Sequence, residues 1–281
     1  MLWVPQKGRL LHQHNTGDVG TLNIGTSVTT GAAAGTKGAV AELIASTSFD
    51  AYMIAIHAGD YGFSAVACEG MLDILIGTAT EEVLIPNLLM GYCSGPNLAA
   101  IPASLGKNWL FPLYIPAGSR ISARAAGART STIVRVAVSL WGGHGVPPFR
   151  VGSKVVSYPT APAVPRGQTI TPGASGVDGA WTQVVASTSE PHFAIVPSFQ
   201  VETDTTVTQK TYQLDLGVGS ATESVIPSAY WYVTGTSEGM TGAWPDLPTF
   251  TDIPSGSRLV ARVSNSGAND TAYGVMLHCV S

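Results

Sequence analysis

The chain has 281 residues and a formal net charge of −4, and only 11% of its residues are charged against about 25% in ordinary globular proteins. That balance leaves too little Lys and Arg to neutralise phosphates and argues against nucleic acid, while a weakly charged surface is cheap to desolvate and suits a protein packed against partners. No apolar run reaches the roughly 18 residues of a membrane span, and Met1 to His14 lack the basic start and apolar core of a secretory signal, so a soluble chain without membrane insertion, made in a cytoplasm, is predicted.

Residues 1–36 are rich in Gly, Thr and Ala, with little to bury, and read as an extended N-terminal arm that orders on contact with a neighbour. His12 and His14 would share a face if the arm were extended. Only Asp18 stands near them as a further ligand, and no metal site is predicted. A first domain follows over 37–141. In it Tyr52, Ile54 and Ile56, and again Val134, Val136, Val138 and Leu140, alternate with their neighbours at the period of a strand with one face inward. A short helical turn is predicted near Asn87 to Gly91. Residues 142–176 are rich in Gly, Pro and Ser and read as a semi-rigid linker. A second domain covers 177–281, with another short helical turn near Ser228 to Tyr232.

Three blocks recur between the domains in the same order. Glu42 to Ser48 (ELIASTS) returns as Gln183 to Ser189 (QVVASTS), Leu72 to Pro86 (LDILIGTATEEVLIP) as Leu214 to Pro227 (LDLGVGSATESVIP, one residue shorter), and Ile115 to Arg124 (IPAGSRISAR) as Ile253 to Arg262 (IPSGSRLVAR). The first and last pairs stand 141 and 138 positions apart, a period far above the roughly 20 to 50 residues of solenoids and propellers. The chain is therefore a tandem duplication in which each copy is expected to own a core. Short β-rich runs punctuated by Gly, Pro, Asn and Asp make the fold class all-β: two tandem antiparallel β-sandwich domains behind the arm. In the third block Pro116 and Pro254 are predicted at position i+1 of a type I turn, with Gly118 and Gly256 at i+3.

The polar residues that recur are Asp73 with Asp215, Glu81 with Glu223, Arg120 with Arg258, and Arg124 with Arg262. They admit a catalytic or cation-binding reading. The simpler reading is that Asp and Arg on adjacent strands pair across the sheet face while Glu anchors a turn. His57, His144, His192 and His278 have no partner reproduced between copies, and no phosphate-cradling glycine motif follows a strand, so neither a catalytic residue nor a cofactor is predicted. Cys68, Cys93 and Cys279 lack paired spacings and read as reduced, buried thiols. Aromatic residues gather between the second and third blocks: Trp109 with Tyr92, Phe111 and Tyr114, and Trp231 and Tyr232 with Tyr230 and Trp244. They fit a satellite core, a protein interface or a stacking platform for host surface glycan.

The blocks Leu72 to Pro86, Ile115 to Arg124 and Ile133 to Trp141, and Leu214 to Pro227, Ile253 to Arg262 and Thr271 to Val280, resemble a jelly-roll-like β-sandwich module of tailed-bacteriophage virion structural proteins. The second copy departs from the pattern with Ser224 in place of Glu82 and Leu216 after Asp215. The resemblance implies a non-enzymatic exterior assembly component of the tail, baseplate or neck. Alternatives are a capsid decoration protein and a host-glycan-binding module on the virion. It further implies localisation in the virion after assembly in the host cytoplasm, with other virion proteins as partners in a homo-oligomer.

Overall fold

The computed structural model describes residues 10–15, 25–59, 70–77, 80–90, 107–128, 130–143, 149–162, 164, 166–203, 211–219, 223–226, 230–234, 240–242, 246–267 and 272–281. Among them there is no helix, and no helix is long and apolar enough to cross a membrane. The first half carries β1 (Leu10–His14), β2 (Thr26–Thr29), β3 (Ala41–Ile44), β4 (Ala51–Gly59), β5 (Gly70–Gly77), β6 (Glu81–Leu89), β7 (Lys107–Phe111), β8 (Arg120–Gly127) and β9 (Ile133–Gly143). These form two antiparallel sheets. One runs β1-β9-β4-β7, with β2 also on β9; the other runs β3-β8-β5-β6. The pairing is nested, outermost strands first: β1 with β9, β3 with β8, β4 with β7, and β5 with β6. Folding a hairpin of hairpins over on itself in this way gives a jelly roll.

The second half repeats that order. Its strands are β10 (Val155–Tyr158), β11 (Gln168–Ile170), β12 (Thr182–Val185), β13 (His192–Thr203), β14 (Thr211–Val218), β15 (Ser224–Val225), β16 (Tyr230–Thr234), β17 (Met240–Gly242), β18 (Thr249–Ile253), β19 (Leu259–Asn265) and β20 (Ala272–Val280). One sheet runs β10-β20-β13-β18, with β11 on β20, and the other runs β12-β19-β14-β16-β17, with β15 on β14. The fold is thus all-β, two antiparallel jelly-roll sandwiches in tandem.

The described strands within residues 1–36 and 142–176 take the same place in the two halves. The first segment supplies β1 and β2 to β9, and the second supplies β10 and β11 to β20. The arm therefore pairs within its own half, and the Gly/Pro-rich linker contains strands. Asn15 anchors the first pairing, accepting from Val138 N at 2.7 Å and donating to Val136 O at 3.0 Å.

Of the two helical turns expected from sequence, the described parts 87–89 and 230–232 lie in strands, and Gly91, Ser228 and Ala229 lie outside the described residues. Asn87 does leave the extended region (φ 59°), but as the extra residue of a bulge, because Leu72 pairs with Leu88 while Ile74 pairs with Ile85. Pro86, which has no N–H, sits beside it on an edge strand, where a missing donor is tolerated. In the second half, one residue shorter in this block, the counterpart of β6 is divided between β15 and β16.

The recurring letters ASTS and IPxGS hold one turn. Thr47 Oγ1 donates to Pro116 O at 2.6 Å and accepts from Ser119 N at 2.9 Å, while its backbone N donates to Ser119 O at 2.8 Å and its carbonyl accepts from Gly118 N at 2.7 Å. Thr188 repeats all four bonds with Pro254, Ser257 and Gly256 at 2.8–3.1 Å. The turn itself differs from the expected type I. Ser119 N bonds Pro116 O, so Pro116 is residue i, and Gly118 falls at i+2 with φ 81°; Pro254 and Gly256 (φ 84°) match. Left-handed φ at i+2 belongs to turns that favour Gly there, and this explains the glycine: a Cβ on Gly118 would meet nothing within 4 Å.

Each half has a core between its sheets. That of the second half is built on Phe199, Tyr212, Leu214, Leu259 and Leu277, among others. The apolar cluster of the first half, with Ile54, Leu72, Phe111 and Val138, continues into Val155, Ala194, Val196 and Val280 of the second, so the cores are not separate beads.

Two outcomes test this account of the turn. Thr47→Val and Thr188→Val keep the shape and remove two hydrogen bonds each, and each should lose about 1–3 kcal/mol in urea unfolding. Gly118→Ala should lose about 1–2 kcal/mol from backbone conformation alone, with no change in the crystal structure around it.

Candidate functional site at the seam between the jelly rolls

The recurring Asp and Arg residues lie on the sheet faces. Asp73 on β5 is opposite Arg124 on β8, and Asp215 on β14 is opposite Arg262 on β19. Arg124 Nε meets Asp73 Oδ2 at 2.9 Å, and Lys37 Nζ meets Oδ1 at 2.8 Å. Asp73 Oδ1 also accepts from the bulge amide, Asn87 N, at 2.9 Å. Burial pushes this carboxyl up, but Lys37, the Asn87 amide and Arg124 together outweigh it and hold Asp73 below the usual carboxylate range. In the second half, Arg262 meets Asp215 Oδ2 at 2.9 Å and Asp178 Oδ2 at 2.7 Å, and lies over the Trp181 ring at 4.5 Å. Arg120 meets Glu42 Oε2 at 2.9 Å and Glu81 Oε1 at 3.5 Å, and Arg258 meets Glu223 Oε1 at 2.7 Å. Glu81 also accepts from Ser122 Oγ. Each of the two glutamates is thus ion-paired with the recurring arginine of its own half. Each recurring carboxylate in this set has a cationic partner in its own half.

Among the described residues the aromatic set does not form one exposed platform. Trp109 is 0% exposed and Tyr232 is 1% exposed, so neither offers a face to a sugar ring. Trp231 lies in β16, its side chain outside the described residues, and Trp244 lies outside them altogether. Tyr114, 40% exposed, stacks on Tyr52 with ring centroids 6.1 Å apart. His12 and His14 do share a face, rings 5.3 Å apart, beside Trp141. Cys279 is a buried free thiol whose burial pushes its pKa up; Cys68 and Cys93 lie outside the described residues.

The buried polar chemistry concentrates where β6 and β7 of the first half meet the outer face of β13 and β20. His278 is fully buried there between two serines. Its Nδ1 is 2.7 Å from Ser157 Oγ, which donates to Pro86 O at 2.8 Å; its Nε2 is 2.8 Å from Ser198 Oγ, which accepts from Leu89 N at 3.1 Å. One assignment satisfies every atom: Nδ1–H donates to Ser157, and Nε2 accepts from the Ser198 hydroxyl. The imidazole is neutral, its pKa pushed down to about 3 by burial. Around this relay Met71 and Leu89 pack on Met276, and Phe111 meets the His278 ring edge-on at 6.0 Å.

A buried ionic group completes the seam. Lys107 Nζ donates to Phe199 O at 2.7 Å and lies 4.5 Å from the centre of the Tyr232 ring. The Tyr232 hydroxyl donates to Asp246 Oδ1 at 2.8 Å. Tyr232 thus stands between cation and anion. Burial lowers Lys107 to about 8 against the opposing pull of Asp246, and burial raises Asp246 to about 6 against the pull of Lys107. Backbone bonds from Asp246 N to Asn108 O (2.8 Å) and from Leu110 N to Asp246 O (3.2 Å) join Asp246 directly to β7. Sequence reasoning passed over Lys107, Asp246, Ser157 and Ser198, and set His278 aside because no partner for it recurs between the copies. The available signal was the run VMLHCV on β20, apolar on both faces, where its counterpart IVRVAVSLW alternates.

Two measurements test the seam. Asp246→Asn should cost about 3 kcal/mol or more, because Lys107 is left without its counter-charge, and adding Lys107→Met should recover most of that loss in chemical denaturation. His278 binds its proton less readily folded than unfolded, so its contribution favours folding above pH 6.5 and is lost as pH falls toward 3, whereas Asp246, shifted upward, works in the opposite direction between about 6 and 4. Relative to the wild type, His278→Gln should therefore gain about 2 kcal/mol of stability on going from pH 7 to pH 5.

No family model and no curated protein matches this sequence. Among solved structures the chain is similar to PNGF-II in two crystal forms, at 9% identity with TM-scores of 0.34 and 0.38; 98% of this chain is covered and 65% and 66% of those chains. It is also similar to a structure of the infectious bursal disease virus Gx strain, at 10% identity with a TM-score of 0.22, covering 98% of this chain and 72% of that one. The chain thus spans about two thirds of the length of PNGF-II. At such scores these likenesses carry no functional argument, and the jelly-roll assignment rests on the strand order itself.

Proposed function

We propose that this chain is a non-enzymatic structural protein of a tailed-phage particle, an exterior assembly component of the tail, baseplate or neck, localised to the virion after assembly in the host cytoplasm. The observation that carries this reading is the seam, which joins two jelly rolls into one block through the His278 relay, the Lys107–Tyr232–Asp246 group and a continuous apolar cluster. The residues common to both copies support the same reading, since the Thr clasp, the turn glycine and the Asp–Arg pairs maintain shape in each half. Its partners are other virion proteins and further copies of itself. A position as a capsid decoration protein fits the same block. The glycan-binding alternative is weakened by the burial of Trp109 and Tyr232.

Purified particles of the phage encoding the chain provide the test. Mass spectrometry should recover the chain in fixed stoichiometry with the other virion proteins, and antibody labelling should place it on the tail or its junctions. Recovery only from the soluble lysate, with none on particles, would overturn the proposal.

A further inference from the structure

Strand β1 carries two exposed imidazoles, His12 and His14, on one of its sides, because residues two apart on a strand share a face. Gln13 between them points to the other side and is tied down there. Its Nε2 donates to Ser46 O at 3.1 Å, and its Oε1 accepts from Ser48 N at 2.8 Å. The pairing of β1 with β9, from Leu10 opposite Gly143 to His14 opposite Ser139, and the two side-chain bonds of Asn15 fix the backbone along its length. The two histidines therefore stand on a strand whose path and facing are set before any ligand arrives.

Their spacing is that of a chelate. Two residues of strand advance about 6.7 Å, yet the ring centres are 5.3 Å apart with planes 26° from parallel, so the rings lean toward each other. An ion held by one nitrogen of each ring at about 2.0–2.1 Å, with the tetrahedral angle between them, places the ring centres about 5.2 Å apart. A right-angled bite needs about 4.5 Å. The observed separation matches the tetrahedral case, and rotation about the broad terminal torsion of histidine aims the nitrogens at a common point without moving the backbone. Trp141, opposite His12 on β9, borders the pair with its ring 5.3 Å from that of His12. Asp18 lies outside the described residues, and among the described residues no third His, Cys, Asp or Glu joins the two. The remaining positions of an ion here go to water.

We propose that His12 and His14 chelate one divalent transition-metal ion, zinc foremost, on the outer face of β1. Imidazole nitrogen suits zinc and its neighbours in the transition series, whereas Mg²⁺ and Ca²⁺ take oxygen ligands and are not bound here. The ion bridges two residues of the strand that the N-terminal segment adds to the first jelly roll, and it can do so with both rings only while that strand is extended. The site stands independently of the assembly reading above.

The test uses the untagged full-length chain, freed of metal and titrated with Zn²⁺ by calorimetry, with Mg²⁺ and Ca²⁺ as controls. One ion per chain should bind with a Kd on the order of 10 μM, as expected for half the ligand set of a structural zinc site. His12→Asn and His14→Asn should each weaken binding at least tenfold, since one imidazole cannot chelate, and His57→Asn, which removes an exposed histidine of β4, should leave it unchanged. Each variant is checked for an unchanged unfolding midpoint. A second measurement needs no variant: carbethoxylation of the wild type, mapped by mass spectrometry, should show zinc protecting His12 and His14 at least tenfold more than His57. No saturable uptake below about 1 mM, uptake unaffected by the His12 and His14 substitutions, or equal protection of all three histidines would each overturn the proposal.

Discussion

Three backbone groups on one edge strand organise the middle of this molecule: the carbonyl of Pro86 and the amides of Asn87 and Leu89. A buried sheet edge with unpaired groups is costly, and a bulge next to a proline makes regular pairing there impossible. Each group finds a side chain from elsewhere. Ser157 donates to the carbonyl, Asp73 accepts the bulge amide, and Ser198 accepts the Leu89 amide. Two of those side chains belong to the second jelly roll and are held in place by His278 between them. The polar needs of one sandwich are thus met by the outer face of the other, and a fixed orientation between the halves follows from hydrogen-bond geometry as much as from apolar packing.

The Lys107–Tyr232–Asp246 group obeys the same logic with charges. A buried lysine lacking a carbonyl acceptor, an aromatic face and a carboxylate would lose its proton or unfold the site. Here Lys107 reaches out of the first sandwich and finds Phe199 O and Tyr232 in the second, with Asp246 behind the ring. Removing one partner of such a group leaves the other charge buried and uncompensated, so its members depend on one another. A slippery apolar contact could settle in several registers, whereas this one has a single place for an ammonium group.

Much of the architecture was legible in the sequence. Duplication, strand period and the Gly/Pro punctuation gave two all-β sandwiches, because turn residues and alternation are local signals. The strands within 1–36 and 142–176 were not legible. Their composition is that of loops, and they are strands only because β9 and β20 present long ladders to pair with. Asn87 misled because an asparagine followed by two leucines suits a helix start as well as a bulge, and the choice is made by Asp73, fourteen residues earlier in the chain. The seam escaped notice because its residues are single Ser, His, Lys and Asp letters with no spacing rule. They acquire meaning only when two sandwiches, each folded from distant segments, lie side by side. The face-to-face difference between β9 and β20 was nevertheless present as text, one run alternating and the other not.

Nested pairing places β9 and β20, the latest strands of their copies, in the interior of a sheet, each bonded to several others. During synthesis on a ribosome, then, neither jelly roll can close until its last strand has emerged, and nearly every contact it makes spans a long stretch of chain, the condition for slow folding. The first copy can finish while the second is still being translated. It then offers the completed β6–β7 edge as a ready surface on which the outer face of β13 and β20 can settle.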